Sequence, residues 1–133
     1  MDQTAETNGG DGETRGPRAP ALALSNAISR LHKQFVGRGP ANVRTTLDDD
    51  LVVCVLEGCL TTDEQTLATT GRTDLVAARR TALQDSMRPT LVAAVRDITG
   101  RPVLSFMSST DLEHDLHAEV FVLGPQHEPP RAS

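Results

Sequence analysis

The apolar residues of this chain change their period three times, and that sequence of periods dictates its architecture. Leu24, Ile28, Leu31 and Phe35 recur four, three and four apart, which puts them on one face of a helix running from about Ala21 to Val36. Gly37 ends it and Gly39-Pro40 prevents its continuation. Val43, Thr45 and Leu47 then alternate as a strand does. Leu51 to Leu56 is apolar on both alternations, the pattern of a strand buried on both faces. Asp48-Asp49-Asp50 between them reads as the turn of a hairpin. Thr61 with Glu64 three positions on is a capping box, opening a short helix to about Thr70 that Gly71 stops. Thr73-Asp74 caps a long helix whose buried side is Val76, Leu83, Met87, Leu91, Val95 and Ile98. Pro89 lies inside it and removes the bond to the carbonyl of Asp85, so a kink is expected there. Thr99-Gly100 ends the helix. Strands follow at Pro102 to Ser108 and Leu116 to Leu123; in the second, Leu116, Ala118, Val120 and Val122 share one side, and His117, Glu119, Phe121 and Leu123 the other. The order is α-β-β-α-α-β-β. It predicts an α+β domain with a four-stranded, mostly antiparallel sheet and three helices.

Three of the four strands carry apolar residues on both sides, and three helices of these lengths do not cover both faces of such a sheet. Uncovered apolar surface of that extent marks an interface, so a homodimer is expected. The 133 residues fit one domain. Residues 1–20 and 125–133 are polar and Gly/Pro-rich and are expected to be disordered, leaving 21–124 as the folded unit. Its only aromatic residues are Phe35, Phe106 and Phe121, so its core is built from Leu, Val, Ile and Ala.

Residues 21–124 hold 13 acids and 10 bases. One lysine and no Tyr or Trp leave neither a basic stripe nor a stacking platform, which argues against nucleic-acid binding. No apolar run suits a bilayer span and the first twenty residues lack a secretory pattern. A small soluble domain in the cytoplasm is expected, with no direct membrane insertion. Cys54 and Cys59 lie on one extended strand and its end, about 15 Å apart at strand rise, too far for a disulfide; two reduced thiols are expected.

The candidate sites are few. Gly37-Arg38-Gly39-Pro40 lacks the ending of a phosphate loop and precedes a strand, so it reads as a helix stop. His114 and His117, flanked by Glu113, Asp115 and Glu119, are the richest polar cluster, but no third metal ligand is fixed by spacing, and a solvated loop is the simpler reading. Neither metal nor cofactor is expected. Arg72, Arg79, Arg80, Arg88, Arg96 and Arg101 lie on or beside the long helix. Arg suits bidentate contacts to carboxylates and phosphates. A solvated face answering Asp74, Asp85 and Asp97 accounts for these arginines; the alternative is an anion-binding or partner-docking surface formed by Arg38, Arg44, Arg79 and Arg80. No spacing implies a nucleophile with its base, so no catalytic residue is assigned and an enzyme is the less favoured class, left open because such groups can assemble across a fold.

Several segments resemble the MpsC domain family, named for a sodium-translocating, membrane-potential-generating system. They are Phe35-Val36-Gly37-Arg38-Gly39-Pro40; Leu56-Glu57-Gly58; Leu60-Thr61-Thr62-Asp63-Glu64-Gln65-Thr66-Leu67; Arg79 and Arg80 on the long helix, which ends in Thr99-Gly100-Arg101-Pro102-Val103; and Glu119-Val120-Phe121-Val122-Leu123. The resemblance covers about residues 22–124. It implies a cytoplasmic accessory subunit of a membrane cation-translocating or inorganic-carbon-uptake system, held at the membrane through an embedded partner that performs the transport. It carries over no catalytic residue. The residues alone leave a second reading open, a dimeric regulatory module that senses an anion or nucleotide through the arginines.

Overall fold

The computed structural model describes residues 18–126. The elements are α1 (Arg18–Val36), β1 (Asn42–Asp48), β2 (Leu51–Glu57), α2 (Thr62–Thr69), α3 (Thr73–Thr99), β3 (Val103–Asp111) and β4 (Leu116–Leu123). The order matches the periodicity. α1 begins ahead of Ala21, at Arg18; the rest of the expected polar tails, 1–17 and 127–133, lies outside the described residues.

The sheet has the order β1-β2-β4-β3 and every neighbouring pair is antiparallel. β1 and β2 form the expected hairpin, with Asp49 in the left-handed region at φ 55. A bulge between Val103 and Ser105 interrupts the register of β3. α1 and α3 pack on one face of this sheet. Ser25 on α1 donates to Thr45 on β1 at 2.7 Å, and Arg88 on α3 donates to the carbonyl of Phe106 on β3 at 3.2 Å. The core between the layers holds Leu24, Ile28, Val52, Cys54, Leu56, Met87, Leu91, Val95, Phe106, Phe121 and Leu123. The rings of Phe106 and Phe121 stack with centroids 4.6 Å apart.

Two local expectations are corrected. β2 is not enclosed on both sides within the chain: Val52, Cys54 and Leu56 are buried, but Val53 and Val55 are only half-buried and Leu51 is 40% exposed. Its second alternation faces away from the helices, where no element of the described residues covers it. The cap of α3 is also different. Arg72 stands at the N-cap with no side-chain cap bond, and Asp74, already in the first turn, pairs with Arg72 at 3.2 Å. The capping box of α2 forms as expected: Thr61 accepts from the amide of Glu64, and Glu64 accepts from the amide of Thr61 at 2.9 Å. α3 runs as one helix through Pro89 and ends on Gly100, left-handed at φ 70.

Candidate functional site

The helix-facing side of β4 presents His117 and Glu119 where an apolar alternation would be expected. Both are buried, at 2% and 0% exposure. Oε2 of Glu119 lies 2.9 Å from Nε2 of His32 on α1 and accepts from Nε2 of Gln84 on α3 at 3.2 Å. One carboxylate thus joins three elements of the fold, α1, α3 and β4. Its other oxygen, together with Oε1 of Gln84 and Nδ1 of His32, has no hydrogen-bond partner, a costly state for buried polar atoms.

A second polar knot lies at the end of β2. Gly58 takes φ 69, and a Cβ there would stand 2.8 Å from that of Ala41; glycine is needed for the conformation and for the close approach. The turn delivers Cys59, whose amide donates to Oδ1 of Asp115 at 2.9 Å, and Leu60, whose amide donates to both oxygens of Asp115 at 3.2 and 3.3 Å. Nε2 of His117 lies 2.9 Å from the same Oδ1, and its Nδ1 lies 3.2 Å from Oγ1 of Thr110 on β3. Arg80 of α3 reaches into the knot. Its guanidinium donates to both oxygens of Glu64, at 2.6 and 2.9 Å, and to the carbonyl of Cys59 at 2.8 Å. Arg80 is 3% exposed and Glu64 0%, so the pair is a buried charge pair with its hydrogen-bonding capacity well used.

Burial sets the protonation states here. It pushes the Cys59 thiol up to about 12, and Asp115 adds to that effect. It pushes His117 below the ordinary histidine range, against the hydrogen bond it donates to Asp115, which favours the proton. It acts upward on Asp115 and Glu64, but their hydrogen bonds outweigh it: His117 and the amides of Cys59 and Leu60 hold Asp115 below the usual carboxylate range, and Arg80 with the Thr61 amide does the same for Glu64. The thiol is protonated, the imidazole neutral and the carboxylates ionised at neutral pH. Cys59, Asp115 and His117 each offer a ligand atom, and these atoms lie within 4.8 Å of one another.

Of the arginines singled out in the sequence, Arg38 and Arg80 come to this knot, Arg38 donating to the carbonyl of Gly58 at 3.2 Å. Arg79 lies beside it, 3.2 Å from Asp63 and 3.8 Å from Glu64. Arg44 is on the opposite face of the sheet, paired with Glu57 at 3.2 Å and 66% exposed. Sequence reasoning placed Arg80 on the surface of α3, although Val76, Arg80, Leu83 and Met87 keep the spacing of its buried stripe. His32, Gln84 and Glu119 left no comparable signal, because the three elements that join them are far apart in the chain. His114 pairs with Asp111 at 3.0 Å on the exposed loop, away from His117's partners. Cys54 and Cys59 are both free thiols.

The other face of the sheet is apolar and open. The registers align Val55 with Ala118, Val53 with Val120 and Leu51 with Val122, a stripe two strands wide. Arg44, Thr46 and Asp48 border it on β1; Ser105, Met107 and Ser109 border it on β3. Leu51 is 40% and Met107 53% exposed. On the helical side, a groove of about 530 Å³ runs between α3 and β3, lined by Arg80, Gln84, Arg88, Phe106, Ser108 and Thr110 among others.

These features define a two-layer α+β domain with an apolar core that holds two buried polar clusters, an apolar sheet face that no described element covers, and no helix among the described residues that is long and apolar enough to cross a membrane. The model of the MpsC family, described as "Na+-translocating membrane potential-generating system (MpsC)", matches residues 21–124, and the chain belongs to that family. It is also similar to the uncharacterized protein YrhF of Bacillus subtilis (strain 168), 28% identical over 101 residues that make up 74% of this chain and 83% of that protein. No solved structure matches it.

Proposed function

We propose that this chain is a non-enzymatic interaction module that pairs with a second copy of itself through the open sheet face and serves as an accessory subunit of a membrane-embedded cation-translocating or inorganic-carbon-uptake system. The observation that carries the self-association is the stripe Leu51, Val53, Val55, Ala118, Val120 and Val122 with its polar borders. An apolar centre inside a polar rim is the anatomy of a protein interface. Four strands of about seven residues span roughly 20 Å in each direction, a footprint of about 400 Å² on each partner or about 800 Å² in total, below the roughly 1,000 Å² of a stable specific interface and in the range of a weak, transient one. A reversible dimer is therefore expected. Membership of the MpsC family supports the accessory role; in this reading an embedded partner holds the protein at the cytoplasmic side of the membrane.

Sedimentation across the micromolar range tests the first part: the wild type shifts toward a dimer with concentration, and Val53→Lys holds it as a folded monomer. A wild type that stays monomeric throughout removes the dimer. Affinity capture from native membranes tests the second part. Co-purification of a polytopic membrane protein with the wild type supports the accessory role, and recovery of the bait alone counts against it.

A second reading draws on the groove between α3 and β3, where Arg88 stands among hydroxyl and amide side chains. Its guanidinium suits a small anion or nucleotide. Calorimetry with inorganic phosphate and nucleotides checks it, and heats lost in Arg88→Ala would favour it over simple docking.

A further inference from the structure

We propose that Cys59, Asp115 and His117 form a binding site for a thiophilic divalent metal ion, with zinc as the ion its donor set fits best. The three residues arrive from two chain segments that the fold clamps together, Gly58 donating to the carbonyl of Asp115 at 3.1 Å. Their ligand atoms lie within 4.8 Å of one another. Ligands of a tetrahedral zinc ion stand about 3.5 Å apart, given bond lengths of about 2.0–2.3 Å, so small side-chain movements close the site. A thiolate, an imidazole and a carboxylate together suit zinc better than calcium or magnesium, which prefer all-oxygen shells.

The surroundings meet the other requirements. Thr110 already sits on Nδ1 of His117. On metal binding the ring proton moves to Nδ1 and donates to that hydroxyl, freeing Nε2 for the ion, the usual support of a metal-bound histidine. Asp115 is 25% exposed at its side chain, which gives the ion a way in; Cys59 and His117 behind it are buried. Charge also balances. A dication with one thiolate and one carboxylate is neutral, and the neighbouring Arg80 is already matched by Glu64. The other groups that act on the thiol or the imidazole are Arg38, His32 and Glu119. A thiol becomes a metal ligand only by losing its proton. Binding therefore releases one proton per ion at neutral pH. Three protein ligands leave a fourth position for water or for a donor from a partner protein.

Cobalt titration of the untagged, full-length protein decides the matter. The expected result is one ion per chain with a thiolate-to-cobalt charge-transfer band, displaced by zinc, and calorimetry in buffers of different ionisation heat giving about one proton released. Cys59→Ser abolishes the band, while Cys54→Ser, which removes the other buried thiol, retains it. Thr110→Val weakens binding by about tenfold or more, as loss of an outer hydrogen bond to a metal-bound histidine does. A wild type that takes up no stoichiometric cobalt, or takes it up without a thiolate band, overturns the proposal even if the Cys59 variant does not fold. A band that survives in a folded Cys59→Ser protein overturns it as well, and leaves the three residues as a hydrogen-bonded clamp.

Discussion

Arg80 occupies a place on α3 that an aliphatic residue would fill on periodicity alone, and the cost of burying it is met by the carboxylate of Glu64 and the carbonyl of Cys59. Removing either charge leaves the other stranded. Arg80→Ala is expected to destabilise the fold by about 3–5 kcal/mol, and the double variant Arg80→Met with Glu64→Gln by clearly less, both read from urea unfolding. The pH profile belongs to the same knot. His117 is lowered below 6.5 by burial, so the unfolded chain takes its proton first. Its contribution is full above about pH 6.5 and is lost as pH falls from there through the folded value. Asp115 and Glu64, held low in the folded state, add a second loss that begins near their unfolded values of about 4 and continues below. The urea midpoint of the metal-free protein should fall in two steps, and His117→Gln should remove the upper step alone. The histidine cluster was visible in the sequence because His117 and Asp115 are neighbours. Its real partners, Cys59 and Thr110, were not, because strand pairing alone brings them there.

Helices and strands were legible because their signals are local. The capping box at Thr61 forms as its spacing demands, and Thr61→Ala should cost about 1 kcal/mol. The face of β4 that carries His117, Glu119, Phe121 and Leu123 followed from simple alternation. Thr73-Asp74 misled because a capping residue type is common within a first turn, where Asp74 also favours the helix dipole. Pro89 is the remaining conflict between sequence and element. Its side chain and that of Asp85 are both exposed, so the proline fills no core space while withholding a hydrogen bond from α3. Pro89→Ala is expected to raise stability by roughly 1–3 kcal/mol, since proline costs about 3 kcal/mol relative to alanine inside a helix. Thermal unfolding that instead shows a loss would mean that α3 needs the proline's geometry to follow the sheet.

At the scale of the whole molecule, the layers are uneven. α1 and α3 cover one face of the sheet, and no element of the described residues covers the other. The apolar strand residues announced this, since β2 and β4 carry more valine and leucine than one covered face can absorb. What the sequence hid was which alternation would be left open; that depends on the helices settling over Glu119 and His117 and so turning Val53 and Val120 outward. An open sheet can associate in two ways, through its face or through the unpaired edges of β1 and β3, and the two differ in what they protect. Face-to-face packing buries the side chains of Leu51, Val53, Val120 and Met107 and leaves the outward amides of β1 and β3 in water. Edge pairing does the reverse. As protein concentration rises, methyl resonances of Leu51 and Met107 should shift while amide exchange along β1 and β3 stays constant. The bulge after Val103 distorts β3 near the start of its edge, which disfavours continuous pairing there. Concentration-dependent protection of edge amides with unmoved methyl signals would assign the association to an edge and free the apolar stripe for a different partner.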